Sequence, residues 1–166
     1  MPDAYADGTR NDPYRKFNFK VEVTRSGAHV PLGVGYEFAF SEVTGLQDAT
    51  EVVSYKEGDR TYDRKLFGKT TFENLVCSRG TSKDRNLELW RQLIHERHNG
   101  NGDDDLRADL KVTLLDRNMR PVRSWSNLAC WPVSLEIEGL SGDASDVLIT
   151  RVEFAVEERS LEAIAV

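Results

Sequence analysis

The residues best suited to chemistry in this chain are three consecutive aspartates, two histidines three apart, two cysteines and three glycines close together. Asp103, Asp104 and Asp105 follow the glycine-rich run Asn99-Gly100-Asn101-Gly102 and could ligate a hard cation, but they lack the alternating ligand positions and distal glutamate of a calcium loop. A solvated acidic loop explains them better. His95 and His98 could share a metal, yet no second pair of ligands with zinc spacing accompanies them. Cys77 lies mid-strand, without a helix N-terminus or elbow to stabilise a thiolate, so it reads as a small hydrophobe. Gly27, Gly33 and Gly35 lack the strand-then-helix setting that aims backbone amides at a phosphate. Trp90, Trp125 and Trp131 are not interleaved with basic residues, as nucleic-acid stacking would require. The expectation is a protein with no catalytic residue, no metal ligand and no cofactor.

The elements that carry these residues are mainly strands. Phe17, Phe19, Val21 and Val23 alternate with Lys16, Asn18, Lys20 and Glu22, a half-buried strand opening after Pro13. Val34, Tyr36, Phe38 and Phe40 alternate in the same way. Further strands are expected over Glu51 to Lys56, Thr70 to Arg79, Leu106 to Leu114, Pro121 to Trp125, Val133 to Ile137 and Val147 to Glu157. In the last of these Leu148, Thr150, Val152, Phe154 and Val156 share one face. One helix is expected over about Ser82 to His98. Thr81-Ser82-Lys83-Asp84 supplies a cap, Leu87, Trp90, Leu93 and Ile94 form an apolar stripe, and Asn99-Gly100 supplies a stop. The fold class is therefore a mainly β, single-domain barrel or sandwich of antiparallel strands with one packed helix.

Composition bounds the function. A chain of 166 residues can bury roughly 70% of its unfolded surface, so one core suffices without disulfides or metal. Cys77 and Cys130 are expected as buried free thiols. A net charge of −6 argues against general affinity for nucleic-acid phosphates or anionic membranes. No apolar run approaches the length of a membrane span, and Met1 to Asn11 carries no basic-then-apolar signal pattern, so residues 1–11 are expected as a flexible N-terminus of a cytoplasmically made protein. Residues 99–105 are expected as a mobile loop. Glu57 to Lys69 is too long and too charged for a hairpin turn and reads as a projecting functional arm.

Several phrases in fixed order carry a resemblance. They are Asp12-Pro13-Tyr14-Arg15-Lys16-Phe17-Asn18-Phe19, Ser41-Glu42-Val43-Thr44-Gly45-Leu46, Tyr55-Lys56-Glu57-Gly58, Lys65-Leu66-Phe67-Gly68, Ser78-Arg79-Gly80, Trp90, Leu114-Leu115-Asp116, Pro121-Val122 with Trp125, and Trp131-Pro132. Over Asp12 to Glu158 the chain resembles the inner tail-tube proteins of contractile phage tails and phage-tail-like injection systems. It departs from that pattern at Phe67, Met119 and Val156, where the family usually carries proline, glycine and histidine.

The resemblance implies a structural protomer that forms hexameric rings around a channel, stacked into a tube within a contractile sheath. The implied partners are further copies of the chain, a sheath protein, baseplate and tail-terminator proteins, and DNA or effector cargo in the channel. Assembly in the cytoplasm would then yield part of a virion or an injection particle. A tube-initiating or tube-capping paralogue is the near alternative, and a monomeric β-sandwich binding module the distant one. Ring stacking is expected on Asp12, Pro13, Tyr14, Arg15 and Lys16 together with Glu57, Asp59, Arg60, Tyr62, Asp63, Arg64, Lys65, Leu66, Phe67 and Lys69. That arm combines both signs of charge with apolar anchors.

Overall fold

The computed structural model describes residues 18–97, 106–143 and 146–162. Asp12 to Phe17, the expected N-terminal tail, His98 and the loop expected at 99–105 lie outside them. Alternation of apolar and polar residues produces β1 (Phe19–Ser26), with Val21 and Val23 buried. Along the chain follow β2 (Glu37–Phe38), β3 (Glu42–Thr44), β4 (Asp48–Tyr55), β5 (Arg64–Phe72) and β6 (Leu75–Gly80). Then come α1 (Asn86–Arg97), β7 (Ala108–Leu115), β8 (Pro121–Ile137), β9 (Ile149–Ala155) and β10 (Glu158–Glu162).

Seven strands run in the order β2-β1-β7-β8-β9-β6-β3, with β10 also pairing β8, and every pairing is antiparallel. The 17-residue β8 belongs to two sheets. Its first half lies between β7 and β10, and its second half pairs with β9. It changes sheet at a bulge, where Ala129 has φ +54° and its amide donates to Asp109 Oδ1 at 2.9 Å. An extra residue bends a strand and raises its twist, so the expected pair of strands at 121–125 and 133–137 is one continuous strand. Among the described residues hydrogen bonding does not close a barrel. The path ends at β2 and β3, joined covalently through Ala39 to Ser41, with the Ser41 amide donating to the Ser78 carbonyl at 2.8 Å.

The core lies between these sheets under α1. Trp90 and Leu87 of the helix are fully buried, and the Trp90 indole donates to the Leu106 carbonyl at 2.8 Å. Trp90 meets Phe154 at 5.6 Å between ring centroids, and Phe38 stacks on Phe40 at 4.9 Å. Val152, Phe154 and Val156 face inward, as their alternation predicts. Of the expected second strand only Glu37–Phe38 is regular strand, though Gly35 and Tyr36 still exchange backbone hydrogen bonds with Val23, and Val34 is exposed. The helix begins at Asn86 and not at Ser82. Asp84 Oδ1 accepts from the Asn86 amide at 3.0 Å, while Oδ2 takes the Tyr36 hydroxyl and lies 3.6 Å from the buried Arg79. These contacts, the Tyr36 bond foremost, hold the Asp84 carboxyl below its ordinary range.

Cys77 and Cys130 are buried free thiols. Burial pushes Cys130 up to about 12 and raises Cys77 as well, so neither forms a thiolate near neutral pH. Iodoacetamide at pH 8 should leave both unmodified in the native protein. Serine at both positions should cost on the order of 1 to 3 kcal/mol by burying hydroxyls without assured partners. The double variant should keep its fold, as circular dichroism would show.

Met119 closes the β7–β8 turn with φ +60°. Asp116 Oδ1 accepts the Asn118 and Arg120 amides, fixing the turn and forcing Met119 into the left-handed region. A side chain there is strained by its Cβ, so glycine would suit the position better. Met119→Gly should raise stability by about 1 kcal/mol, read as a higher denaturation midpoint. An unchanged or lower midpoint would contradict this.

Candidate assembly interface

β4 and β5 form a two-stranded sheet of their own, apart from the body. The arm is therefore longer than expected: a hairpin spanning 48–72, with residues 56–63 at its tip. Both of its faces are exposed. Arg64, Lys65, Leu66, Phe67 and Lys69 lie on β5, not in a loop, while Glu57, Asp59, Arg60, Tyr62 and Asp63 form the tip. Thr70 to Phe72 end this hairpin, and β6 starts afresh at Leu75, so the strand expected over Thr70 to Arg79 divides at Glu73-Asn74.

Pairing sets which side chains meet. Val52 lies opposite Phe67 and Ser54 opposite Lys65 on one face, with Val53 opposite Leu66 and Tyr55 opposite Arg64 on the other. Phe67 is 98% exposed, and Val52, Val53, Tyr55, Tyr62 and Leu66 are exposed too. At the tip, Glu57 Oε2 lies 2.8 Å from Arg64 Nε and 3.5 Å from Arg60 Nε. The Arg60 guanidinium stands 5.8 Å over the Tyr62 ring. An isolated two-stranded hairpin is marginal in water, and this one leaves its apolar residues uncovered. Contiguous exposed apolar surface of that kind marks a contact surface.

The base of the arm is held tightly. Gly45 has φ +93°, and a Cβ there would lie 2.0 Å from the Asn74 carbonyl oxygen, so only glycine fits where the chain enters and leaves the arm. The Glu73 amide donates to the Gln47 carbonyl at 2.9 Å. From β10, Arg159 donates to the Gly45, Gln47 and Glu73 carbonyls at 2.8 to 3.0 Å and to Asn127 Oδ1 at 2.6 Å. Burial lowers its pKa from the ordinary arginine value. Sequence reasoning missed Val52, Val53 and Tyr55 as arm surface, and it missed Arg159 altogether. The first three sat within a predicted strand, and Arg159 sits in a polar stretch without periodicity.

Among the described residues no group of three or more histidine, cysteine or acidic side chains could hold a metal, and no helix is long and apolar enough to cross a membrane. An open two-sheet β body, a packed helix and a hairpin clamped at its base leave exposed apolar surface of the kind that contacts other chains. The profile of the family described as T4-like virus tail tube protein gp19 matches residues 15–160, and the chain belongs to that family. Its fold is that of a chain in the anti-feeding prophage baseplate, at TM-score 0.78 and 20% identity over 95% of this chain and 100% of that one. A chain of the PVC extracellular contractile injection system sheath–tube complex in its extended state gives TM-score 0.77 and 16% identity over 98% and 99%. One from the anti-feeding prophage tube-terminating cap gives 0.75 and 15% over 99% and 100%. No curated protein matches the sequence.

Proposed function

We propose that this tail-tube family chain acts as one domain that forms hexameric rings, stacked into the inner tube of a contractile tail or injection system. The observation that carries the stacking reading is the hairpin at 48–72, whose apolar residues lie exposed on both faces. Stacking would cover Phe67, Leu66 and Tyr62 and leave the Glu57, Arg60 and Arg64 charges at the rim. Asp59, Asp63, Lys65 and Lys69 complete that rim, with Asp12 to Lys16 contributed from the N-terminal segment. The role is mechanical and not enzymatic: sheath contraction drives a stiff tube, and the channel conducts DNA or a protein effector. Its partners are other copies of itself, the sheath, and baseplate and terminator proteins, met during cytoplasmic assembly. A tube-initiating or capping role is the second reading, supported by the near-equal likeness to a chain in the anti-feeding prophage cap structure. Copy number per particle separates the two, since a cap occurs in few copies.

Charge reversal tests the stacking surface. Arg60→Glu with Arg64→Glu removes both cations from Glu57 and leaves an acidic tip beside Asp59 and Asp63. The yield of pelleted tubes should fall several-fold, and the deficit should shrink as added salt shortens the screening length below about 8 Å. Equal yields from variant and parent at low salt would contradict the assignment.

A further inference from the structure

We propose that Arg159 is the positioning residue that fixes the arm's direction against the body, so that β10 decides whether a folded protomer can stack; this rests on the stacking reading above. The guanidinium reaches across the neck of the arm. Nη1 donates to the Gly45 and Gln47 carbonyls on the incoming chain, and Nη2 donates to the Glu73 carbonyl on the outgoing one. Nε is taken by Asn127 Oδ1, and Arg159 and Asn127 are register partners across β10 and β8.

Asn127 is itself fully buried, and its Nδ2 donates to the Leu110 and Trp125 carbonyls, so the acceptor that aims the guanidinium is fixed by the body. A continuous line of hydrogen bonds thus runs from β7 and β8 through Asn127 and Arg159 into both chains of the neck. None of the four acceptors is a carboxylate; Asp48 and Glu73 attract the guanidinium without bonding it, so the bonds themselves answer to the shape of the fork. Lysine could satisfy one or two of these oxygens but could not span both chains with fixed geometry. The arm beyond the neck contributes no residue to the core cluster, so little else sets its direction.

Arg159→Met keeps the aliphatic stem and removes the fork. Hydrogen exchange in 45–55 and 64–74 should quicken by about tenfold or more, as expected for losing hydrogen bonds to a charged group, while β1, β7 and β9 amides stay protected. Tube yield by pelleting should fall by a similar factor. Arg159→Lys should recover part of both. Exchange that is unchanged, or that quickens equally everywhere, would overturn the positioning role, as would tubes at the parental yield. If Arg159→Met does not fold, Arg159→Lys carries the same comparison: faster exchange confined to the neck and arm with fewer tubes supports the role, and parental behaviour overturns it. An arm-replaced chain separates the two ideas. Tubes lost there but normal in Arg159→Met sink the role of Arg159 and leave stacking intact. Tubes retained there sink stacking, and exchange at the neck then decides the hold of Arg159 by itself.

Discussion

Replacing residues 48–72 with a short glycine-serine turn should leave the body folded and abolish stacked tubes. The ends left behind are already neighbours, since the Glu73 amide donates to the Gln47 carbonyl at 2.9 Å. No residue between 48 and 72 belongs to the core cluster or to the partly buried side chains packed against it. The three neck carbonyls that receive Arg159 also remain. Circular dichroism and the melting temperature should therefore stay close to those of the parent, because shortening a connection changes closure entropy only slowly. The boundaries matter. Cutting only 57–69 would remove most of β5 and leave Val52 to Tyr55 of β4 without their partners, an exposed edge prone to aggregation. Long tubes of normal spacing from the shortened protein would assign the arm to the sheath or to solvent instead.

Gly45→Ala should be among the most damaging single substitutions in the chain. The new Cβ would stand 2.0 Å from the Asn74 carbonyl oxygen, a backbone atom that cannot swing aside, at a residue with φ +93°. Strain and displacement together should cost about 2 to 4 kcal/mol. For a domain of this size that corresponds to a drop in melting temperature of roughly 5 to 15 °C. Gly139→Ala is the control, because nothing lies within 4 Å of its Cβ position. A melting temperature for Gly45→Ala within about 2 °C of the parent would mean that the neck is looser than described.

The sequence was legible wherever one face of an element is buried. Val21 and Val23 on β1, Leu110 and Val112 on β7, Val152 and Phe154 on β9, and Leu87 and Trp90 on α1 all face the core, and each stood out by its period. Elements without a buried face were legible only in part: a strand is expected over Glu51 to Lys56, where β4 lies, but β5 reads as a loop. β4 and β5 are exposed nearly throughout, so their partners, and hence the true extent of the arm, left no alternation to read. β10 is a polar strand beside β8 and gave no signal either. β8 was divided in two because the bulge at Ala129 interrupts its pattern: Ser126 and Asn127 are both buried, which no strict alternation allows.

The candidate interface divides in the same way. The exposure of Tyr62, Leu66 and Phe67 agrees with an overlong, charged stretch that reads as an arm. The mounting of that arm was not legible, because Arg159 lies 86 residues beyond Glu73 and meets backbone carbonyls, which carry no residue code. Gly45 did stand within the phrase Ser41 to Leu46 that pointed to the family. Its physical reason, the close approach of Asn74, appeared only in the fold.

Electron microscopy of the purified 166-residue chain at rising concentration tests the account most directly. Sixfold rings, alone or stacked into tubes with a central channel, are the expected result, with tubes favoured when baseplate proteins supply a template. A chain that stays strictly monomeric at high concentration, and that sheath and baseplate proteins also fail to recruit, would contradict it.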